Sequence, residues 1–103
     1  MNKSKRRSYQ IPSIVFNGRI FNEVIIDSHY EQKHSNHIND ELILLLIREL
    51  NQRFELRVDK KDKCEFFVTR IECNSKWYRL IWIIEKDCNY IGIINAFRDK
   101  KGE

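Results

Sequence analysis

The chain has 103 residues, enough for one domain with a modest hydrophobic core, and its longest uninterrupted apolar run is the six residues 42–47, too short to cross a membrane. The formal net charge is +4, and four cations within the first seven residues account for all of it, because fifteen cations balance fifteen anions from residue 11 onward. The basic segment is therefore as consistent with a solvated tail as with attraction to phosphate.

The cysteines and the N-terminal composition favour a cytoplasmic protein. Cys64, Cys73 and Cys88 form an odd set without a CxxC pair, which indicates reduced and mostly buried thiols. Asn17-Gly18 interrupts the first apolar stretch too early for a signal peptide. We expect a disordered basic arm at residues 1–9, followed by a single domain at residues 10–103.

The first predicted element is a β-hairpin. Apolar triplets at residues 14–16 and 19–21 flank Asn17-Gly18, a dipeptide preferred in tight two-residue turns that need two positive φ angles. The second strand is expected to continue through residues 24–26.

A helix is predicted over residues 39–52. Asn39 is a suitable N-cap, and Asp40 and Glu41 complement the positive end of the helix dipole. One face of the helical wheel is apolar and is assigned to the sheet; it consists of Leu42, Ile43, Leu46, Ile47 and Leu50. Leu44 and Leu45 lie off this face, where we expect the N-terminal hairpin to cover them; a partner surface is the alternative.

Four strands are predicted after the helix. Residues 53–59 alternate between polar and apolar, and strands at 64–73, 77–84 and 90–97 follow with short polar turns between them. The predicted fold is therefore a two-layer α+β domain with an N-terminal strand or hairpin and one long helix packed on a four-stranded antiparallel meander.

A cation inside a predicted central strand is the first sign of a functional site. If Leu80 and Trp82 face the helix, Arg79 points to the opposite face of the sheet. A buried or half-buried cation needs a negative partner, so the alternative is a structural salt bridge across the sheet to Glu65 or Glu72.

The two C-terminal strands resemble the end of small bacterial RelE-type toxins. The resemblance rests on WYRLIWII at residues 77–84, the acidic turn that follows, and YIGIINAFR at residues 90–98. It implies a metal-independent endoribonuclease that acts on free or ribosome-bound RNA and is neutralised by an antitoxin or immunity protein. Arg79 matches the strand arginine and Arg98 the terminal one, which in such proteins grip the scissile phosphate. Phe97 departs from the pattern, because many relatives have a polar residue there, often His.

All three histidines lie within residues 27–37, just before the predicted helix. Cleavage of RNA requires a base for the 2′-hydroxyl proton, an acid for the leaving oxygen and a cation for the crowded phosphate. We predict that the catalytic groups are His29, Glu31, Lys33 and His34, with Arg79 and Arg98 as the clamp. Substrate contacts are predicted for Tyr30, Tyr78 and Asn95, and no cofactor is expected.

Two alternatives remain for this segment and one for the whole protein. His29, His34 and His37 have spacings that a metal site could use, and the segment could instead be a polar loop that leads into the helix. The protein could also be a non-catalytic interaction module, such as a nuclease inhibitor or another partner-binding domain. The ribonuclease hypothesis requires both arginines to reach one phosphate and His29 or His34 to lie within about 10 Å of Arg79.

Overall fold

In the computed structural model, which describes residues 5–101, six strands and three short helical segments surround one core. The strands are β1 (Arg6–Phe16), β2 (Arg19–Asp27), β3 (Asp59–Lys61), β4 (Cys64–Cys73), β5 (Lys76–Glu85) and β6 (Tyr90–Arg98). Between β2 and β3 lie a 3₁₀ turn (Ser28–Tyr30) and the helices α1 (Glu31–His34) and α2 (Asp40–Arg48). None of these helices is long and apolar enough to cross a membrane.

The predicted architecture of one long helix on a four-stranded antiparallel meander is wrong. The strands form a single six-stranded mixed sheet in the order β1-β2-β6-β5-β4-β3, and the helices are short. The difference arises at β2, which runs parallel to β6 with Val24 opposite Ile91 and Ile26 opposite Ile93. These four side chains are buried, so the N-terminal hairpin extends the sheet instead of lying apart from it.

The N-terminal hairpin itself is present where the sequence predicts it. Asn17 and Gly18 form its turn with φ angles of 50° and 75°, which the Asn-Gly dipeptide accepts. Strand β1 begins at Arg6, so residues 6–9, expected to belong to a disordered arm, pair with β2. Residues 1–4 of that predicted arm lie outside the described residues.

Helix α2 begins as predicted and ends earlier. The Asn39 Oδ1 accepts a hydrogen bond of 2.8 Å from the Leu42 backbone N–H, as an N-cap does. The chain leaves the helix after Arg48 and reaches Gln52, which has a φ of 65° and donates its backbone N–H to the Val15 carbonyl at 2.6 Å. The strand β1 therefore ends the helix at a point that helical periodicity did not predict.

The predicted strand at residues 53–59 is largely absent, and only Asp59–Lys61 pair with β4. The Asn17 side chain binds the backbone of Glu55 twice, accepting from its N–H at 2.8 Å and donating to its carbonyl at 2.9 Å. These two hydrogen bonds satisfy the Glu55 backbone groups that a neighbouring strand would otherwise bind. The segment still alternates between polar and apolar residues, but its apolar residues face solvent instead of the core. Phe54, Leu56 and Val58 are all exposed.

The core lies between the sheet and α2. Trp82 is fully buried at its centre, with ring centroids 4.7 Å from Phe16 and 4.6 Å from Phe67, and its indole N–H donates to the Thr69 hydroxyl at 3.0 Å. Leu46 of α2 is fully buried as predicted. The opposite side of the sheet, which we call the open face, presents Trp77, Arg79, Ile81, Ile83 and Glu85 of β5, all half-buried. Helix α2 lies on the side of the sheet opposite to the open face.

Candidate functional site

Two arginines share one carboxylate on the open face, and with a neighbouring tryptophan they form what we call the arginine cluster (Arg70, Arg79, Trp77 and Asp99). Arg70 on β4 lies directly opposite Arg79 on β5. The Asp99 Oδ2 accepts hydrogen bonds from Arg79 Nε at 3.1 Å, from Arg79 Nη2 at 2.7 Å and from Arg70 Nε at 3.1 Å. The Arg70 guanidinium lies 4.2 Å from the centre of the Trp77 ring.

The electrostatics of the cluster follow from this geometry. Two cations directly opposite each other on neighbouring strands repel, and Asp99 offsets that repulsion. The hydrogen bonds from Arg79 lower the pKa of Asp99, so the carboxylate stays ionised. One positive charge remains in excess among these three ionised groups, and the Arg70 and Arg79 side chains are 34% and 37% exposed to solvent. Arg79 thus has a structural partner, as the alternative supposed, but the partner is Asp99 rather than Glu65 or Glu72.

His34 lies beside this cluster. Arg79 pairs across the strands with Phe97, whose ring centroid is 5.4 Å from that of His34. The described pairing of β2 with β6 ends at Ile26 and Ile93, and α1 packs along β6 beyond that point. The topology therefore places His34 against a phenylalanine that is the cross-strand neighbour of Arg79.

Arg98 does not join this arrangement. It pairs with Tyr78, whose ring lies 5.6 Å from the Arg98 guanidinium carbon, and Tyr78 is buried on the helix-covered face. Successive residues of a strand point to opposite faces, so Arg98 leaves β6 on the side opposite to Phe97 and Arg79. The expectation that Arg79 and Arg98 reach one phosphate is wrong.

The three residues predicted to contact substrate have different environments. Tyr30 and Tyr78 are buried in the core, and the Tyr30 hydroxyl donates to Asp40 at 2.7 Å, so neither ring is accessible on the open face. Asn95 is half-buried opposite Ile81 of the open face, and its Oδ1 accepts from the Ala96 N–H at 2.9 Å. Of the three, Asn95 alone lies on the face that carries Arg79.

The other predicted catalytic residues are exposed around α1. The His29 backbone N–H donates to Asp27 at 2.8 Å, Glu31 forms an ion pair of 3.3 Å with Arg7, and Lys33 points to solvent. No hydrogen bond or ion pair within residues 5–101 joins these three to Arg79. In the same part of the chain, no three His, Cys, Asp or Glu side chains are arranged to hold a metal ion, so the alternative site of three histidines is not formed.

A polar cluster that the sequence did not predict holds the N-terminal strand to the helices. The Asp40 carboxylate accepts from Arg7 Nε at 2.6 Å and Nη2 at 2.8 Å, from the Tyr9 hydroxyl at 2.5 Å and from the Tyr30 hydroxyl at 2.7 Å. These bonds, first that of Arg7, lower the pKa of Asp40 to about 2. The cluster is structural, since three elements, β1, the 3₁₀ turn and α2, meet at one carboxylate.

Sequence reasoning also missed Arg70, Trp77 and Asp99. A usable signal was present, because a turn at Asn74-Ser75 places Arg70 opposite Arg79 without further information.

Comparisons of the chain with models of known protein families, with curated proteins and with solved structures find no match.

Proposed function

We propose that the protein is a cytoplasmic, metal-independent endoribonuclease of the toxin type, with RNA as its substrate. The observation that supports this proposal is that His34 lies against Phe97, the cross-strand neighbour of Arg79, near the end of β6. An imidazole titrates near neutral pH, and a guanidinium binds phosphate with two donors. Trp77 and Phe97 add half-buried aromatic surface on which unpaired bases stack.

The proposed reaction is an internal transfer at the phosphate. His34 takes the proton of the 2′-hydroxyl, the 2′-oxygen forms a bond to phosphorus, and the bond from phosphorus to the 5′-oxygen breaks. The products are a 2′,3′-cyclic phosphate and a 5′-hydroxyl that has received a proton. Arg79, with Arg70 beside it, stabilises the additional negative charge on the phosphate oxygens. Asp99 is a positioning residue in this scheme, because it holds both guanidinium groups.

The acid that protonates the leaving oxygen is proposed among the exposed groups around α1. His29 and Lys33 are both able to donate a proton, and Glu31 lies between them in sequence. Their exposure leaves them free to approach a bound RNA strand. We also propose, from the resemblance to RelE-type toxins, that an antitoxin or immunity protein neutralises the activity.

The first prediction tests the roles of His34 and Arg79. Replacing His34 with Ala should lower the rate of RNA cleavage about 10²–10⁴-fold, because it removes the proton acceptor. Replacing Arg79 with Ala should cause a loss of at least about 10²-fold, because the cation that stabilises the transition state is gone. The measurement is the initial rate of cleavage of a labelled RNA by the purified variants in a chelating buffer.

Matched controls separate these roles from general damage. His37→Ala removes an exposed histidine of the same segment, and Arg57→Ala removes an arginine that is also paired with a carboxylate, Glu65 at 3.0 Å. Both controls should retain the wild-type rate. Equal losses in the controls, or full activity in His34→Ala, would contradict the proposed site.

An interaction module is a second candidate function, supported by one observation. Phe54, Leu56 and Val58 are 79%, 93% and 61% exposed on one side of an extended segment, an apolar stripe of a kind that marks binding surfaces. If the protein acts only through a partner, Leu56→Ser should abolish its effect on bacterial growth while His34→Ala leaves it intact. The ribonuclease proposal expects the reverse for His34.

A further inference from the structure

A second feature of the open face is a groove of about 290 Å³ between β2, β6 and β5, distinct from the arginine cluster. Its floor is a row of three residues in register across the strands: Ile25, Gly92 and Ile83. The outer two carry branched side chains and the middle one carries none. Since neighbouring strands are about 4.8 Å apart, the Cα atoms of the two isoleucines lie about 10 Å apart. The Ile83 side chain leans over the buried Gly92 between them, and the groove opens beside it.

Gly92 lets Ile83 and Tyr90 pack closely over β6 and so sets the position of two walls of the groove. A Cβ at residue 92 would lie 2.9 Å from Ile83 Cγ1 and 3.4 Å from the Tyr90 ring, so any larger residue would displace one wall. The volume lies at the lower limit of small-molecule pockets, which span about 300–1,000 Å³. A ligand the size of one flat heterocycle fits it better than an extended one.

The rim of the groove is polar and mainly acceptor in character. Arg6, Asp27, Glu85 and Tyr90 all line it. The Tyr90 hydroxyl donates to Glu85 Oε1 at 2.7 Å, and this bond raises the pKa of Tyr90 to about 12, so the phenol keeps its proton. Two carboxylates against one cation, Arg6, give the rim a net negative charge, which favours a ligand edge with N–H donors over a phosphate group.

The groove is placed for one base of a strand that also reaches the arginine cluster. Ile83 and Arg79 point to the same face of β5, four residues apart, which corresponds to about 13 Å. A few nucleotides of single strand bridge that distance.

We propose that this groove is a subsite for one unpaired nucleobase that carries an exocyclic amino group, with the apolar floor against the ring and Glu85 and Asp27 accepting from the amino edge. The inference rests on the proposed function, because it supplies a base-selective subsite for the RNA that the arginine cluster would hold. Cytosine and uracil form the sharpest pair of probes: cytosine has an amino group where uracil has a carbonyl oxygen, which a carboxylate repels.

Binding of labelled deoxyribonucleotide hexamers, six deoxycytidines or six deoxyuridines, tests the subsite by fluorescence anisotropy. These strands lack the 2′-hydroxyl, so they cannot be cleaved by the proposed reaction. The wild type should bind the cytosine hexamer about tenfold more tightly than the uracil hexamer, the size of one good base contact. Glu85→Gln should reduce that ratio, and Ile25→Phe, which fills the groove, should abolish it.

Val68→Phe is the matched control, since Val68 lies opposite Ile81 on the same face and outside the groove lining. It should keep the tenfold ratio, and thermal unfolding followed by circular dichroism should show that both phenylalanine variants are folded. Equal binding of the two hexamers by the wild type, or an unchanged ratio in Ile25→Phe, would overturn the subsite.

The outcome is separable from that of the proposed function. Loss of cleavage in His34→Ala together with equal hexamer binding would refute the subsite alone. A tenfold ratio in a protein that cuts no RNA would leave the groove as a base-binding site and refute the nuclease.

Discussion

At the scale of single residues, Asp40 has a larger role than the sequence predicts. The sequence indicates only a favourable charge at a helix N-terminus, whereas the structure makes Asp40 the acceptor for Arg7, Tyr9 and Tyr30. The partners could not be predicted, because Arg7 belongs to a segment that composition assigns to a tail. Its strand pairing with Ile26 determines its place.

Asp40 should therefore make stability depend on acid pH. Its pKa is lowered in the folded state from 3.8 to about 2, so the ionised form stabilises the fold above the unfolded pKa, and this contribution is lost as the pH falls from about 5 towards 2. The shift corresponds to about 2 kcal/mol. Asp40→Asn should lower the free energy of unfolding by about that amount at pH 7 and flatten its decline between pH 5 and 2, measured by urea unfolding. An unchanged pH dependence in the variant would show that the cluster contributes nothing.

At the scale of elements, the sequence predicts correctly those features that depend on neighbouring residues, and it does not predict those that depend on distant contacts. The Asn17-Gly18 turn, the Asn39 cap and the three C-terminal strands follow from residues adjacent in sequence, and all are present. The early end of α2 and the loss of the strand at 53–59 depend on contacts with β1 and Asn17, which are more than thirty residues away. Periodicity carries no information about such contacts.

The candidate site also has parts that the sequence predicts and parts that depend on long-range pairing. Strand alternation correctly places Arg79 on the open face and, applied to the next strand, places Arg98 on the other. The approach of His34 to Phe97 follows from the parallel pairing of β2 with β6, which no local pattern predicts.

Asn17 connects the N-terminal hairpin to the segment that follows α2. Its side chain holds both the N–H and the carbonyl of Glu55, and its φ of 50° suits Asn better than most residues. Asn17→Ala should lower the free energy of unfolding by about 2–3 kcal/mol, from two lost hydrogen bonds and a strained turn. Asn51→Ala, which removes one hydrogen bond to the Val15 N–H, should cost about 1 kcal/mol. A smaller effect for Asn17 than for Asn51 would contradict the role given to that turn.

At the scale of the whole molecule, one face of the sheet packs into the core, and the other, the open face, carries the arginine cluster. Truncation of Leu46, fully buried in the helix-covered layer, to Ala should cost about 2–5 kcal/mol of stability. Truncation of Val68 on the open face should cost less than about 1 kcal/mol. Thermal or urea unfolding of the two variants measures the difference, and comparable losses would mean that the open face is also part of a packed layer.

We propose that the open face cleaves RNA through the 2′-hydroxyl, without a metal ion. The most direct measurement is mass spectrometry of the products formed from a short RNA and from its all-deoxy counterpart, incubated with the wild-type protein and excess chelator. We expect the RNA to be cut to fragments ending in a 2′,3′-cyclic phosphate and the DNA to stay intact. Intact RNA, or fragments carrying a 5′-phosphate, would contradict it.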